Sequence, residues 1–201
     1  RPDINKCYAD FSSDGKNFLY ALGAIKSVGF EAISKIVQER TKNGEFKDLT
    51  DFINRVNPKD INKLQLEGLV KAGAFDNLNT NRQSLYNSIP NIILKSKNIF
   101  ENNSANQIDL FNEENDVTYL DITEDWNVDV KLSKEFETLG FFISDHPLNQ
   151  YKSLFKKYKI LNYNSFLNNS EHSTGNVACT ILKIQEKKTQ KGSSYAIVKF
   201  S

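Results

Sequence analysis

Through the first hundred positions apolar residues recur at three- and four-residue steps, the period of helices that bury one face. Across 22–40 the face is marked by Phe30, Ile33, Ile36 and Val37, with Glu31, Lys35, Gln38 and Glu39 between them, and Gly44 ends the run. Leu49, Phe52, Ile53 and Val56 predict a second helix, and Leu64, Leu66, Leu69 and Val70 a third that stops at Gly73. Thr80 and Gln83 stand at capping-box spacing, which predicts a helix start there with Leu85, Tyr86 and Ile89 facing inward. Pro90 is expected to kink or interrupt that helix, and Ile92, Ile93 and Leu94 begin a further apolar cluster. Residues 1–20 mix Pro2, Asp3, Asn5, Asp14 and Gly15 with isolated aromatics, and read as loops with a short strand near 18–20.

After position 100 the pattern changes. Residues 101–116 are rich in Asn, Glu, Asp and Ser, too polar for a packed element, and predict a linker with one apolar island at Ile108, Leu110 and Phe111. A helical stretch follows over 131–143, closed by Asp145, His146 and Pro147, and then a helix rich in Lys and Tyr over 151–158. Residues 177–188 and 194–200 are β-rich and separated by Lys191 and Gly192, which predicts a hairpin. A lone hairpin is marginal in water, so the strands are expected to open a larger β-domain. The fold class is mainly α.

A hydrophobic content of 39% with 11% aromatic residues is enough for a real core. No run approaches the ~18 consecutive apolar residues of a membrane helix, so no membrane contact is expected. Cys7 and Cys179 lie far apart and without C-x-x-C spacing, which gives no zinc framework and leaves a reducing cytoplasm as the default location. The chain starts at Arg1 and lacks methionine, so its beginning is expected to lie inside a longer protein. The net charge of +1 hides an asymmetry: residues 101–137 carry eleven acids against Lys131 and Lys134, whereas residues 138–201 carry nine lysines against three acids.

Two short patterns carry candidate chemistry. Leu22-Gly23-Ala24-Ile25-Lys26-Ser27-Val28-Gly29, followed by Ala32, Ile33 and Ile36, matches a helix-hairpin-helix, in which a tight turn joins two short helices. Gly29 lets the backbone approach a phosphate, and the following helix offers free N–H groups and the positive end of its dipole. Lys26, Lys35, Arg40 and Lys42 are candidate salt-sensitive contacts around the same turn. Ser27 holds a position where the pattern usually has glycine. A more degenerate copy at 66–75 makes Lys71 and Gly73 further candidates for DNA contact. The alternative for both is an ordinary helix pair whose glycine closes the loop. The second pattern, Gln107-Ile108-Asp109-Leu110-Phe111, sets a polar anchor and two large apolar residues on an acidic segment, which suits a hydrophobic pocket on a partner. Bacterial sliding clamps bind peptides resembling Gln-x-x-Leu-Phe; otherwise Leu110 and Phe111 fold back on neighbouring helices.

The order of these pieces resembles the C-terminal half of the bacterial DNA polymerase III α subunits, the C-family replicases. Pro2-Asp3-Ile4-Asn5 and Phe11 resemble the end of their fingers, and Tyr20-Ala21-Leu22-Gly23-Ala24-Ile25-Lys26 their hairpin entry. The stretches 69–75, 137–148 (ETLGFFISDHPL) and 177–200 are similar to their second helical repeat, the segment before their oligonucleotide-binding (OB-fold) barrel, and its first two strands. The resemblance implies the end of the fingers at 1–20, a tandem helix-hairpin-helix domain at 21–100, an acidic linker with the clamp-binding peptide at 101–130, a helical connector at 131–172 and the start of an OB-fold at 173–201. It further implies duplex DNA, the sliding clamp and other replicase subunits as partners of a parent DNA-directed DNA polymerase, a nucleotidyltransferase. The catalytic Mg2+ would sit in a palm that precedes this chain, leaving no catalytic residue, metal or cofactor here and a fragment inactive alone.

Other features have plainer readings. Asp121, Asp125 and Asp129 read as a solvated face rather than a metal site, and His146 as a helix-end hydrogen bond. Lys187, Lys188 and Lys191 suit single-strand phosphates, and Tyr195 or Phe200 suit stacking on bases or core packing. Two rival functions are a clamp-binding adaptor without DNA contact and a helix-hairpin-helix DNA repair protein, the latter weakened because residues 41–60 offer only Gly44 and Pro58 for its catalytic loop.

Overall fold

A computed structural model describes residues 1–104, 120–168 and 174–201. The chain divides into two compact units, Arg1–Ser144 and Asp145–Ser201.

In the first unit the periodic faces become helices. Helix α1 (Phe30–Asn43) buries Ala32, Ile33 and Ile36 and ends at Gly44, whose φ of 86° suits glycine. Helices α2 (Leu49–Arg55) and α3 (Lys63–Lys71) are started by Asp48 and by a reciprocal Asn62–Gln65 capping box, each cap worth about 1 kcal/mol. Helix α4 (Arg82–Asn87) begins one residue later than expected: Asn81, not Thr80, accepts the capping bond, from Ser84 N–H. The helical run is interrupted ahead of Pro90, as expected: α4 stops at Asn87, and Pro90 sits in the first turn of α5 (Ile89–Ser104), where its missing N–H costs nothing. These helices close on one core in which the Phe46, Phe52 and Phe75 rings meet edge to face at 5.0 Å, with Leu22, Ile25, Val28, Ile33, Leu69 and Leu85 packed in the same cluster. Strands β1 (Ser12–Ser13) and β2 (Phe18–Leu19) pair antiparallel ahead of the helices.

The described residues on both sides of 105–119 belong to this first unit. On the far side Leu120 packs on the core. The Asp121 N–H donates to Ser88 Oγ at 2.7 Å, and Asn81 Nδ2 donates to the Thr123 carbonyl at 2.7 Å. Helix α6 (Val128–Leu139) then starts at the Asn127 cap, three residues before its expected beginning, and stops at Gly140 in the left-handed region.

The second unit opens with a 3-10 turn (Pro147–Tyr151), followed by α7 (Lys152–Lys157) and α8 (Tyr163–Leu167). Strands β3 (Ile181–Lys188) and β4 (Ser194–Phe200) form the expected antiparallel hairpin, with Ile184 opposite Val198 and Lys187 opposite Tyr195. Among the described residues no helix is long and apolar enough to cross a membrane.

Candidate nucleic-acid interface

A 3-10 turn (Leu22–Ala24) leads into a hairpin that buries its large aliphatic residues and leaves its polar ones outside. Leu22, Ile25 and Val28 are at most 2% exposed, while Lys26, Ser27, Gly29 and Phe30 face solvent. Ser27 has φ 68° and Gly29 φ 82°, so the turn does need a left-handed backbone at the position where serine replaces the usual glycine. Gly29 is also the N-cap of α1, and no described side chain caps it, which leaves the first-turn N–H groups of a 14-residue helix open to an anion.

Three supports hold this hairpin, none of them read from the sequence. A Cβ on Gly23 would lie 2.6 Å from the Ala9 carbonyl oxygen, and one on Gly68 2.9 Å from that of Lys26, so the entry segment and α3 both pack backbone to backbone here. Gln65 Nε2 donates to the Val28 carbonyl at 2.7 Å. The Lys26 N–H donates to the Thr138 carbonyl in the last turn of α6 at 3.1 Å. Gly68 inside a helical pattern and the Asn62-x-x-Gln65 capping signature were the available signals for two of these.

The candidate cations separate sharply. Lys26 is exposed beside the turn. Lys35 is exposed but paired with Asp60 at 2.5 Å. Arg40 is not a surface contact: it is 7% exposed, donates to the Ile4 and Cys7 carbonyls at 2.6 and 3.0 Å, and lies over the Tyr8 ring. Lys42 is exposed near the other end of α1, about 18 Å along the axis from the hairpin.

Lys71 and Gly73, expected at a second hairpin, are taken up by packing. Lys71 is paired with Glu137 at 2.9 Å and lies over the Tyr86 ring. Gly73 is buried with φ 77° in a Schellman stop to α3, its N–H reaching the Val70 carbonyl and that of Ala74 reaching Leu69. A Cβ there would overlap the Arg82 guanidinium at 2.2 Å, and the Ala74 carbonyl is already held by Ile4 N–H at 2.8 Å. The physical reason is that the chain returns over this turn.

That return centres on a buried ionic cluster. Arg82, 4% exposed, makes a two-pronged contact with Asp76 at 2.7 and 2.6 Å and reaches Glu135 Oε1 at 2.9 Å. Glu135 is fully buried and also accepts from the Ser144 hydroxyl and, at 3.0 Å, from the Ser144 N–H. Burial alone would raise the Glu135 carboxyl, but the Ser144 and Arg82 donors outweigh it and hold it below the usual carboxylate range.

The remaining candidates lie elsewhere. Residues Gln107, Ile108, Asp109, Leu110 and Phe111 fall outside the described residues. Lys187 and Lys188 end β3 and Lys191 lies in the following turn, all exposed. His146 Nδ1 accepts from Leu148 N–H at 3.2 Å, capping the 3-10 turn. Asp125 is not a free solvated carboxylate: it pairs with Lys131 and accepts from the Gln83 and Trp126 N–H groups. Among the described residues no group of three or more His, Cys, Asp or Glu is placed to hold a metal.

The first part of the chain carries a helix-hairpin-helix: residues 1–85 match the helix-hairpin-helix motif family. Over its length the chain is 30% identical across 204 residues to the DNA polymerase III subunit alpha of Caulobacter vibrioides, a match covering 100% of this chain and 18% of that protein. It is 35% identical over 199 residues to the Rickettsia prowazekii protein of the same name, covering 96% of this chain and 17% of that protein. For Campylobacter jejuni the identity is 37% over 182 residues, with 85% and 15% covered. Along its length the chain matches one stretch of the DNA polymerase III subunit alpha proteins, and it spans less than a fifth of the length of these relatives.

Proposed function

We propose that this stretch holds duplex DNA for a replicative DNA polymerase, gripping the phosphate backbone at 26–30 without reading bases. The observation that carries the reading is the left-handed Ser27 and Gly29 pair in front of an uncapped α1 N-terminus, with Lys26 exposed beside it. Such an end receives a phosphate through N–H donors and the helix dipole, and the contact carries no sequence information. Gln107, Leu110 and Phe111 would tether the protein to a sliding clamp, and Lys187, Lys188 and Lys191 would meet single-stranded template as part of an OB-fold. Polymerisation itself, with its Mg2+, belongs to other parts of the full-length protein; Asp121, Asp125 and Asp129 do not suit the ion, since Asp125 is already committed to Lys131.

Fluorescence anisotropy of this chain on a labelled duplex tests the reading, as a titration from about 50 to 200 mM salt. With Lys35 paired and Arg40 buried, log affinity should fall against log salt with a slope between about −1 and −2. Lys26→Ala should weaken binding equally on unrelated sequences and reduce the slope by about 1. Wild-type affinity in Lys26→Ala at all salt concentrations would move the duplex contact away from this hairpin.

A further inference from the structure

We infer that Arg82 and Glu135 are positioning residues for the DNA-facing hairpin, acting through α6, which lies beyond the 1–85 helix-hairpin-helix match. The inference rests on the duplex reading above.

The last four carbonyls of a helix have no partner within it, so each needs one from elsewhere. In α6 the Thr138 carbonyl, one residue from the helix end, receives the Lys26 N–H at 3.1 Å. Lys26 immediately precedes left-handed Ser27. Its own carbonyl lies against Gly68 of α3, where even a methyl group would come within 2.9 Å. The Lys26 peptide is thus gripped on its N–H by α6 and crowded on its carbonyl by α3, while its side chain stays in solvent. The hairpin's outward geometry therefore depends on where α6 ends.

What fixes α6 is ionic. Glu135, one turn before the helix end, is tied to Arg82 of α4 and to the Ser144 hydroxyl and N–H. Glu137 adds the outer pair to Lys71 of α3. Arg82 is in turn held by both Asp76 oxygens beside the Gly73 turn. A path of direct contacts runs from Asp76 through Arg82, Glu135 and the last turn of α6 to the Lys26 N–H. Apolar residues at these positions would glue α6 to the core without fixing its axial position. Directional hydrogen bonds fix both.

The test uses the full chain and two variants. Glu135→Gln removes the charge and leaves at least one of the donors now facing Glu135 without an acceptor. Gly140→Val strains only the end of α6, because Gly140 has φ 82° and a Cβ there meets nothing within 4 Å; it keeps the test open should Glu135→Gln fail to fold. In either folded variant the Lys26 amide should exchange hydrogen faster by up to about tenfold, the scale of one such bond, while the Ile33 and Ile36 amides of α1 keep wild-type protection. Duplex affinity should fall by a similar factor with an unchanged salt slope, since no phosphate contact is removed. A brace serving stability alone would loosen all three amides together and leave affinity per folded molecule unchanged, and that result overturns the proposal. So does wild-type exchange at Lys26 in a folded variant. If the wild type binds no duplex but the variants still loosen Lys26 selectively, the duplex reading fails and the brace itself stands.

Discussion

Replacing Gly29 with alanine separates backbone geometry from steric fit. Gly29 has φ 82° and ψ 152°, a combination almost confined to glycine, where an L-residue costs about 1–3 kcal/mol. Crowding adds nothing, because the nearest atom to an added Cβ is Gln65 Nε2 at 4.0 Å. Alanine also restricts the unfolded chain, returning about 0.4–1 kcal/mol. The net cost is therefore about 0.5–2 kcal/mol, or a fall of roughly 1–8 °C in the transition of a unit this size. The chain stays folded, and what changes is the path of the backbone toward a phosphate. Calorimetry should show the modest fall, and anisotropy at constant salt a loss of duplex affinity greater than the unfolded fraction explains. An alanine variant that melts lower but binds duplex like the wild type would refute the view that the 27–29 backbone is the contact.

Arg40→Ala should lower stability by about 3 kcal/mol, the loss of two hydrogen bonds from a buried cation to the Ile4 and Cys7 carbonyls; urea melts check this, and the salt slope of duplex binding should not change. Acid should unfold the first unit in a defined window. The Glu135 carboxyl lies below its ordinary value in the folded state, so below about pH 4.5 the unfolded chain takes up protons that the native state refuses. Stability is then fully present above that pH and lost as pH falls through the depressed native value. Glu39, Asp51, Asp125 and Glu137 are shifted the same way and add to the slope. Urea midpoints between about pH 3 and 7 should show the loss, and a folded Glu135→Gln variant a shallower one. Leu110→Ala with Phe111→Ala should abolish calorimetric binding to a bacterial sliding clamp; undiminished binding would place that contact outside 107–111.

The helices were legible because burial writes a period into the sequence: Phe52 and Ile53, or Leu66, Leu69 and Val70, are inside where the three- and four-residue steps put them. Glycine stops at Gly44 and Gly73 were legible for the same local reason. The start of α4 was misplaced by one because Thr80 and Asn81 both cap well, and only geometry selects Asn81. Polar residues were the poorest guides. Lys71 and Glu137 are 66 positions apart, and Arg82 and Glu135 are 53 apart. A charge carries no mark of a distant partner, so Arg40, Lys71 and Asp125 looked like solvent groups when each is spoken for. The acidic composition of 101–130 reads as a linker, and composition alone does not say that the described residues on both sides of 105–119 lie in one compact unit.

That redistribution of charge bears on how a chain of net charge +1 would grip a polyanion. Of the cations near the first hairpin, Arg40 stabilises the core, Lys35 faces Asp60 and Lys42 lies toward the far end of α1, leaving Lys26 at the turn itself. A site built on density of cations would lose most of its affinity between about 50 and 200 mM salt. One built on helix N–H groups and a fixed left-handed turn loses far less, because its donors are part of the fold and release few counterions. Its weak point is geometric instead: shifting the Lys26–Gly29 backbone should harm it more than removing any one distant lysine. The structure invests accordingly, with Gly23, Gly68, Gln65 and the Thr138 carbonyl all supporting that short stretch of main chain.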